Sequence, residues 1–360
     1  MRARTKRNTN FEIIKLIAVF LIILSSALPY GATYRGGYET VYMNLNNTGW
    51  SLSHIVFTFF RWCGQIGDTL FIVVSAWFLC DSSELKINKP VRMIVDSWVI
   101  SILGLVIALC WMQPQTSEIV KSFMPVRFGL NWFVGCYVIY YLIHPLLNSA
   151  IENMSSNIMK KFVLVLFLVY SIMGLVGQAY YYTNLVGFIS IHYFVAYYKK
   201  YITLEKKLSR DVKVMTASLV AIVIWILAIN VVSRYTGKLS NRNLAGATFM
   251  NPLIIFIGFS ALNIAVTSVP TYSKLINGVT RFSLLIYLFH ANYFWLIYGK
   301  YAWLLLLKNK GVSLFVAVCV TILCYAVATP FLSLAYTKIF DHGLNILSIK
   351  ISHFINRDID

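Results

Sequence analysis

Long apolar runs separated by short polar and basic segments recur along the whole chain. The first run begins near Asn10 and continues to Ser25 and Ser26, long enough to cross a bilayer at about 1.5 Å per residue. The recurrence predicts an all-α polytopic membrane protein with about ten transmembrane helices. No hydrophilic stretch is long enough to fold separately, so residues 1–360 are interpreted as one transmembrane domain. The predicted spans are about 10–30, 53–80, 93–112, 131–147, 162–178, 183–198, 214–232, 247–267, a ninth after Arg281, and 311–334.

Composition and charge agree with the hydrophobic pattern. Hydrophobic residues make up 59% and charged residues 12% of the chain, against about 25% charged residues in a soluble domain. The net charge of +18 is divided among short loops, which argues against a nucleic-acid partner. Basic residues before the first run and in the loop at 199–213 predict cytoplasmic amino and carboxyl termini in a cell membrane. The loop at 233–244, predicted to lie outside, carries three cations and fits this rule least well.

The six cysteines all fall within or beside apolar runs. Their positions argue against a disulfide framework, and zinc-ligand spacing is absent. We therefore expect no metal site.

Polar residues inside the apolar runs are the candidates for function. Lys15 and Ser26 lie about 16 Å apart along a helix, which puts Ser26 near mid-membrane if Lys15 lies at the cytoplasmic boundary. Polar groups at that depth are costly unless they face protein or a water-filled cavity. Alternatively, Ser25 and Ser26 bond back to carbonyls one turn earlier. Residues 64–68 interrupt the second run and predict a broken or closely packed helix there, and the carboxylates of Asp68 and Asp96 are interpreted as partners of an arginine such as Arg61.

Several of these segments occur in an order that resembles the membrane-bound acyltransferase family 3, whose members transfer acyl groups onto cell-surface glycans. The resemblance covers most of the chain. It rests on residues 7–18, on Leu70-Phe71-Ile72-Val73-Val74-Ser75-Ala76-Trp77-Phe78, on Asn131-Trp132-Phe133 with Tyr140 and Pro145, on Asn251-Pro252, and on Ile286-Tyr287-Leu288-Phe289-His290.

One departure from that family concerns the first span. Family members carry a basic residue, ten intervening residues and a histidine thought to be the catalytic base. This chain has Lys15 and then Ser26 at those positions, so the resemblance makes these two residues the catalytic candidates of the first span. A hydroxyl cannot replace imidazole as a base near neutral pH. Three explanations stay open: the protein is inactive, another residue supplies the base, or the sequence has been changed at position 26.

The resemblance implies transfer of an acyl group from acetyl-CoA, and the donor's phosphates then need cations. Lys15, Lys89 and Arg92 are the candidates for that clamp at the cytoplasmic ends of the helices. A second interpretation is that these cations only orient the inner loops. Where the family often has two arginines three residues apart, this chain keeps only Arg92, and a lysine offers a point charge in place of a bidentate fork.

His290 is the strongest remaining candidate for the base. It lies about 13 Å along the ninth span from Arg281, close to the predicted depth of Ser26. The alternative is a packed hydrogen-bond partner. His192 and His144 also fall inside spans but have only their position in their favour, and His54 lies at an outer boundary where it could contact an acceptor.

The acceptor is expected to be a polysaccharide or lipid-linked sugar, at a membrane surface rich in lipid. Trp132, Asn292 and Arg127 are the candidates for binding it, although Trp132 also suits an interfacial aromatic belt. A second hypothesis is a catalytically inactive relative that assists export or binding of an extracellular polysaccharide. The missing first-span histidine favours that alternative.

Overall fold

The computed structural model describes residues 7–28, 45, 47–111, 113–175, 183–295 and 299–357. Within these residues every regular element is a helix. The helices are α1 (Thr9–Ser26), α2 (Leu52–Leu79), α3 (Asn88–Leu109), α4 (Thr116–Phe123), α5 (Trp132–Glu152), α6 (Ser156–Leu166), α7 (Asn184–Tyr201), α8 (Leu208–Thr236), α9 (Pro252–Thr267), α10 (Lys274–Thr280), α11 (Ser283–His290), α12 (Lys300–Asn309) and α13 (Leu314–Arg357). A π-helical turn at Phe167–Ile172 and a 3-10 turn at Met173–Leu175 continue α6.

Six of the described helices, α1, α2, α3, α5, α8 and α13, are long and apolar enough to cross a membrane. The described chain is thus all-helical, as expected of an α-helical membrane protein. Helix α9 is a shorter apolar helix. The count of about ten spans and the side on which the termini lie stay predictions, and the ninth predicted span begins as the short helix α11, which ends at His290.

Helix α2 is the centre of the bundle and packs against α1, α7, α8 and α9. Its large aromatic side chains Phe57 and Trp62 are fully buried. The helix begins after Ser51, whose hydroxyl caps it by accepting a hydrogen bond from the backbone N–H of His54. It runs unbroken through residues 64–68, so of the two predicted arrangements the closely packed helix is the one observed.

Two glycines explain how closely α1 approaches α2. A Cβ atom on Gly67 would lie 2.5 Å from the carbonyl oxygen of Ala18, and one on Gly64 would lie 2.5 Å from Cβ of Ser25. Small residues of this kind let two backbones approach in membrane helix pairs. The glycines therefore set the distance between the two helices that carry Ser25 and Arg61.

The contact between α3 and α13 is built differently, from charged side chains. Arg92 reaches Asp96 at 3.0 Å and Asp341 at 2.9 Å, and the Tyr336 hydroxyl donates to Asp96 at 2.9 Å. Asp96 therefore neutralises an arginine, as the sequence indicated, but that arginine is Arg92 of its own helix.

Helix α13 is much longer than its predicted span of 311–334. It has 44 residues with Pro330 inside it, which corresponds to about 66 Å at 1.5 Å per residue. This exceeds the hydrocarbon thickness of about 30 Å, so the hydrophobic pattern located the span but not the helical extension after it.

Candidate functional site

A cavity of about 380 Å³ lies beside the middle of α2, at the level where α1 ends and α5, α7 and α9 begin. Its wall includes Ser26 from α1, Trp132 from α5 and His290 from α11. Each of these three residues is a candidate on the sequence alone, and the structure brings them to one cavity. Polar groups contributed by other elements complete the wall: Arg61, Gln65, Asp68, Asn184 and Thr248.

His290 has one ring nitrogen engaged and one without a partner. Its side chain is buried, and Nδ1 lies 3.0 Å from the carbonyl oxygen of Ile286. Because a carbonyl oxygen only accepts, Nδ1 carries a proton, and in the neutral imidazole Nε2 then carries the lone pair. Nε2 is buried and has no hydrogen-bond partner among the described residues. The imidazole is therefore held in the tautomer that a proton-accepting group needs.

The two serines at the end of α1 are held by cations. The hydroxyl of Ser25 accepts a hydrogen bond from Nη1 of Arg61 at 3.1 Å. The backbone carbonyl of Ser26 accepts one from Nζ of Lys300 at 3.0 Å. Among the described contacts, neither serine hydroxyl bonds to a carbonyl one turn earlier. The interpretation of these serines as self-satisfied helix residues is therefore not what the structure shows.

Arg61 and Asp68 lie on one face of α2. With Gly64 and Gln65 they occupy positions i, i+3, i+4 and i+7, which bring side chains to the same side of a helix. All four line the cavity. From the sequence alone Asp68 is expected only to neutralise an arginine, although the spacing of these four residues is the signal that predicts a polar face on α2.

Lys300 is a functional candidate that the sequence reasoning missed. It is only 4% exposed, and its ammonium group donates to the carbonyl oxygens of Ser26 and Leu28 at 3.0 and 2.7 Å. A cation at the carboxyl end of a helix satisfies unpaired carbonyls and complements the helix dipole. A lysine between two apolar runs was the available signal.

The loop before α9 is shaped by Asn251. Its side-chain oxygen accepts from the N–H of Leu253 at 2.9 Å, and its amide nitrogen donates to the carbonyl of Gly246 at 2.9 Å. Gly246 has φ +80, a conformation that favours glycine. The loop that results places Phe249 in the cavity wall, stacked on Trp132 with ring centroids 6.3 Å apart.

The three cations predicted to clamp the donor do not line this cavity. Lys15 pairs with Glu12 on its own helix at 3.1 Å. Lys89 is exposed and lies 5.7 Å from the ring centroid of Tyr141, and Arg92 belongs to the ionic contact between α3 and α13. Each cation has a different partner, so their role toward a donor stays a prediction.

Two of the predicted acceptor residues also lie elsewhere. Asn292 lines a different, apolar groove, where its amide nitrogen donates to the carbonyl oxygen of Ile100 at 3.1 Å. Arg127 is exposed, with its guanidinium 5.8 Å from the ring centroid of Phe128. Of the three, only Trp132 lines the cavity.

The other candidate histidines are engaged away from the cavity. His192 bonds to the Tyr140 hydroxyl at 2.8 Å and to the Asn148 side-chain oxygen at 2.9 Å. His144 bonds through Nδ1 to the carbonyl oxygen of Tyr141, and His54 meets the side chain of Asn243 at 3.1 Å. None of the three lines the cavity, which leaves His290 as its histidine.

A second cavity of about 180 Å³ adjoins the first and shares Ile22 and Tyr287 with it. It adds Val19 and Phe71, both of which lie closer than Ile22 and Asp68 to the end where α1 begins. Its lining is mostly apolar. The two cavities together extend from the polar wall toward the opposite end of the bundle.

All six cysteines are free, and no group of metal-binding side chains occurs among the described residues. The fold and the cavity define an α-helical membrane protein with polar and charged groups gathered between its helices. Compared with models of protein families, with curated proteins and with solved structures, the chain matches none.

Proposed function

We propose that the chain is a membrane-bound acyltransferase of the family 3 type, which transfers an acetyl group from acetyl-CoA to a hydroxyl of a polysaccharide or lipid-linked sugar. The observation that supports this most is the side chain of His290. Its Nε2 is buried and has no hydrogen-bond partner in the described part of the chain, while Nδ1 bonds to the carbonyl oxygen of Ile286. It borders a cavity that also holds a guanidinium, a carboxylate and hydroxyl groups. General-base catalysis of acyl transfer requires such groups: a base for the acceptor hydroxyl and a cation or hydrogen-bond donors for the oxyanion.

The proposed reaction uses Nε2 as a proton carrier. Nε2 of His290 takes the proton of the acceptor hydroxyl while that oxygen attacks the thioester carbonyl carbon. The tetrahedral intermediate collapses, the carbon–sulfur bond breaks, and the thiolate takes the proton back from the imidazolium. The products are an O-acetyl sugar and coenzyme A thiol, and no other reactant is consumed.

Arg61 is the residue we assign to the developing negative charge. Its guanidinium lines the cavity and is oriented by its bond to Ser25. A cation that is already positioned where the oxyanion will form stabilises the transition state more than the ground state. Ser26 lacks a titrating group and is assigned to contact with the acceptor, not to proton transfer.

The proposed topology opens the cavity toward the external side of the cell membrane. With about ten spans and cytoplasmic termini, α1 begins inside and ends at the cavity. The second cavity then extends toward the cytoplasmic donor. The donor's phosphates remain the proposed partners of Lys15, Lys89 and Arg92. For Lys15 and Arg92 this requires that the phosphate replace the carboxylate that each now contacts.

Acetylation assays on membranes that contain the chain test this proposal. We expect His290→Ala to lower kcat by a factor of about 100 to 10,000, the usual contribution of a general base. His342→Ala, on the exposed part of α13, is the matched control and should keep full turnover. Unchanged turnover in His290→Ala would remove that residue from the mechanism.

The export or polysaccharide-binding alternative is favoured by one observation, the serine at position 26. Ser26→His separates the two functions, because it places an imidazole on the cavity wall. An enzyme weakened by the serine should gain turnover. Absence of acetylated product from both the wild type and Ser26→His, together with binding of the polysaccharide to both, would support export and contradict the acyltransferase.

A further inference from the structure

A third concave surface lies on the other side of the carboxyl end of α11. This apolar groove has a volume of about 350 Å³ and is formed by α3, residues 289–295 and α13. Among the residues that the structure describes, its lining includes no charged side chain. A sugar or a nucleotide placed there would lose hydrogen bonds to water without replacement, which is unfavourable. The groove therefore suits a hydrocarbon ligand.

The length and direction of the groove match one leaflet of a bilayer. Its α3 wall runs from Ile100 to Ala108, with lining residues that follow one face of the helix, and Trp111 lines the groove just beyond the end of α3. The helical part of this wall is about 12 Å long at 1.5 Å per residue, a little under half of the roughly 30 Å hydrocarbon core. Trp111 and Trp295, both exposed, stand at the groove as aromatic residues do at a membrane interface.

Only one segment of chain separates this groove from the proposed reaction cavity. Phe289 and Asn292 line the groove, whereas His290 and Ala291 between them line the cavity. The segment is fixed to α3 by the bond from Asn292 to the Ile100 carbonyl. Gly104 leaves the space for it, since a Cβ there would lie 2.2 Å from the Asn292 amide nitrogen.

We propose that the groove binds the hydrocarbon chain of a lipid-linked sugar, so that the sugar enters the adjoining cavity beside His290. This inference rests on the proposed function and narrows its acceptor to a lipid-anchored one. The groove is apolar, and a single segment of chain separates it from His290. It can therefore hold the lipid anchor while the sugar reaches the cavity. A polysaccharide without a lipid anchor would leave it unused.

Filling the groove tests the proposal. Ala328 lies on α13, is exposed and lines the groove, whereas its neighbour Val327 is exposed and does not line it. We expect Ala328→Trp to lower kcat/KM for a polyprenyl-linked sugar at least tenfold relative to kcat/KM for the same sugar in water-soluble form. Val327→Trp, with the same added bulk on the same helix, should keep the wild-type ratio. An unchanged ratio in Ala328→Trp would overturn the proposal.

A binding measurement that needs no turnover tests the groove independently of the proposed acyltransferase activity. The probe is a polyprenyl phosphate with a photoreactive diazirine in its chain, used in vesicles of phosphatidylethanolamine and phosphatidylglycerol. Labelling of α3 and α13 should be strong in the wild type and in Val327→Trp and at least fivefold weaker in Ala328→Trp. If these results are obtained and no acetyl transfer occurs, the groove is supported and the proposed reaction fails. Equal labelling of all three proteins, or displacement of the probe by excess phosphatidylglycerol alone, would contradict the groove assignment.

Discussion

The α1–α2 contact and the α3–α13 contact hold the bundle together by opposite means. Where α1 meets α2, Gly64 and Gly67 provide space, and the backbones approach because no side chain separates them. Where α3 meets α13, Arg92 joins Asp96 and Asp341 in an ionic cluster that also receives the Tyr336 hydroxyl. One contact depends on shape and the other on charge. The α1–α2 contact forms part of the cavity wall. The position of Ser25 relative to Arg61 therefore depends on Gly64 and Gly67 having no side chains.

The largest expected loss of stability comes from removing one partner of the ionic contact. Arg92→Leu leaves Asp96, which is 5% exposed, without its cation. Breaking a buried pair in this way costs about 3–5 kcal/mol. The midpoint of thermal unfolding in detergent measures it. The double variant Arg92→Leu with Asp96→Leu should recover most of the loss, and a double variant less stable than the single one would show that charge does not hold this contact.

The next effect is expected at Gly67. A methyl group there meets the backbone oxygen of Ala18 at 2.5 Å, and a backbone cannot move aside as a flexible side chain does. Gly67→Ala should therefore destabilise the protein by about 1–3 kcal/mol, as overpacking usually does. Gly343 is the control, since a Cβ atom added there would have no neighbour within 4 Å. Gly343→Ala should be neutral or stabilising by up to about 1 kcal/mol, and equal losses at both glycines would contradict this account.

The smallest and most specific effect concerns Gly64, whose obstacle is a side chain. A Cβ atom there meets Cβ and Oγ of Ser25 at 2.5 and 2.6 Å. We expect Gly64→Ala to be tolerated better when Ser25→Gly is present, with a coupling of about 1 kcal/mol, within the range found for contacting residues. A double-mutant cycle of unfolding midpoints measures the coupling. Strict additivity would mean that the two residues do not limit the approach of the helices.

The sequence predicted the helical class and the unusual packing of α2, because apolar runs of spanning length and the small residues at Gly64 and Gly67 are local signals. It also placed Ser26 and His290 at one depth by counting residues, and both line one cavity. Counting residues along a helix gives the depth of a side chain but not the side of the helix on which it lies. Two positions after His290 the chain has left α11, so Asn292 faces the groove on α3 instead of the cavity.

Other features depend on partners distant in the chain. Arg92 pairs with Asp96 at a spacing of four that the sequence shows, but its second carboxylate partner, Asp341, is 249 residues away and no local pattern joins them. Lys300 is likewise 274 residues from Ser26. The sequence near His290 carries only a weak signal for the end of α11, because Asn292 is a less common helix-stop residue than glycine. Such contacts follow from the tertiary arrangement alone.

The unbroken length of α13, which extends as far as Arg357, has a practical consequence. A helix that continues past the bilayer transmits orientation without a flexible joint. A soluble fusion partner whose first helix extends α13 in register would rotate and tilt rigidly with the bundle. Such a fusion would supply the mass and shape that particle alignment in electron cryo-microscopy requires for a protein of 41.1 kDa.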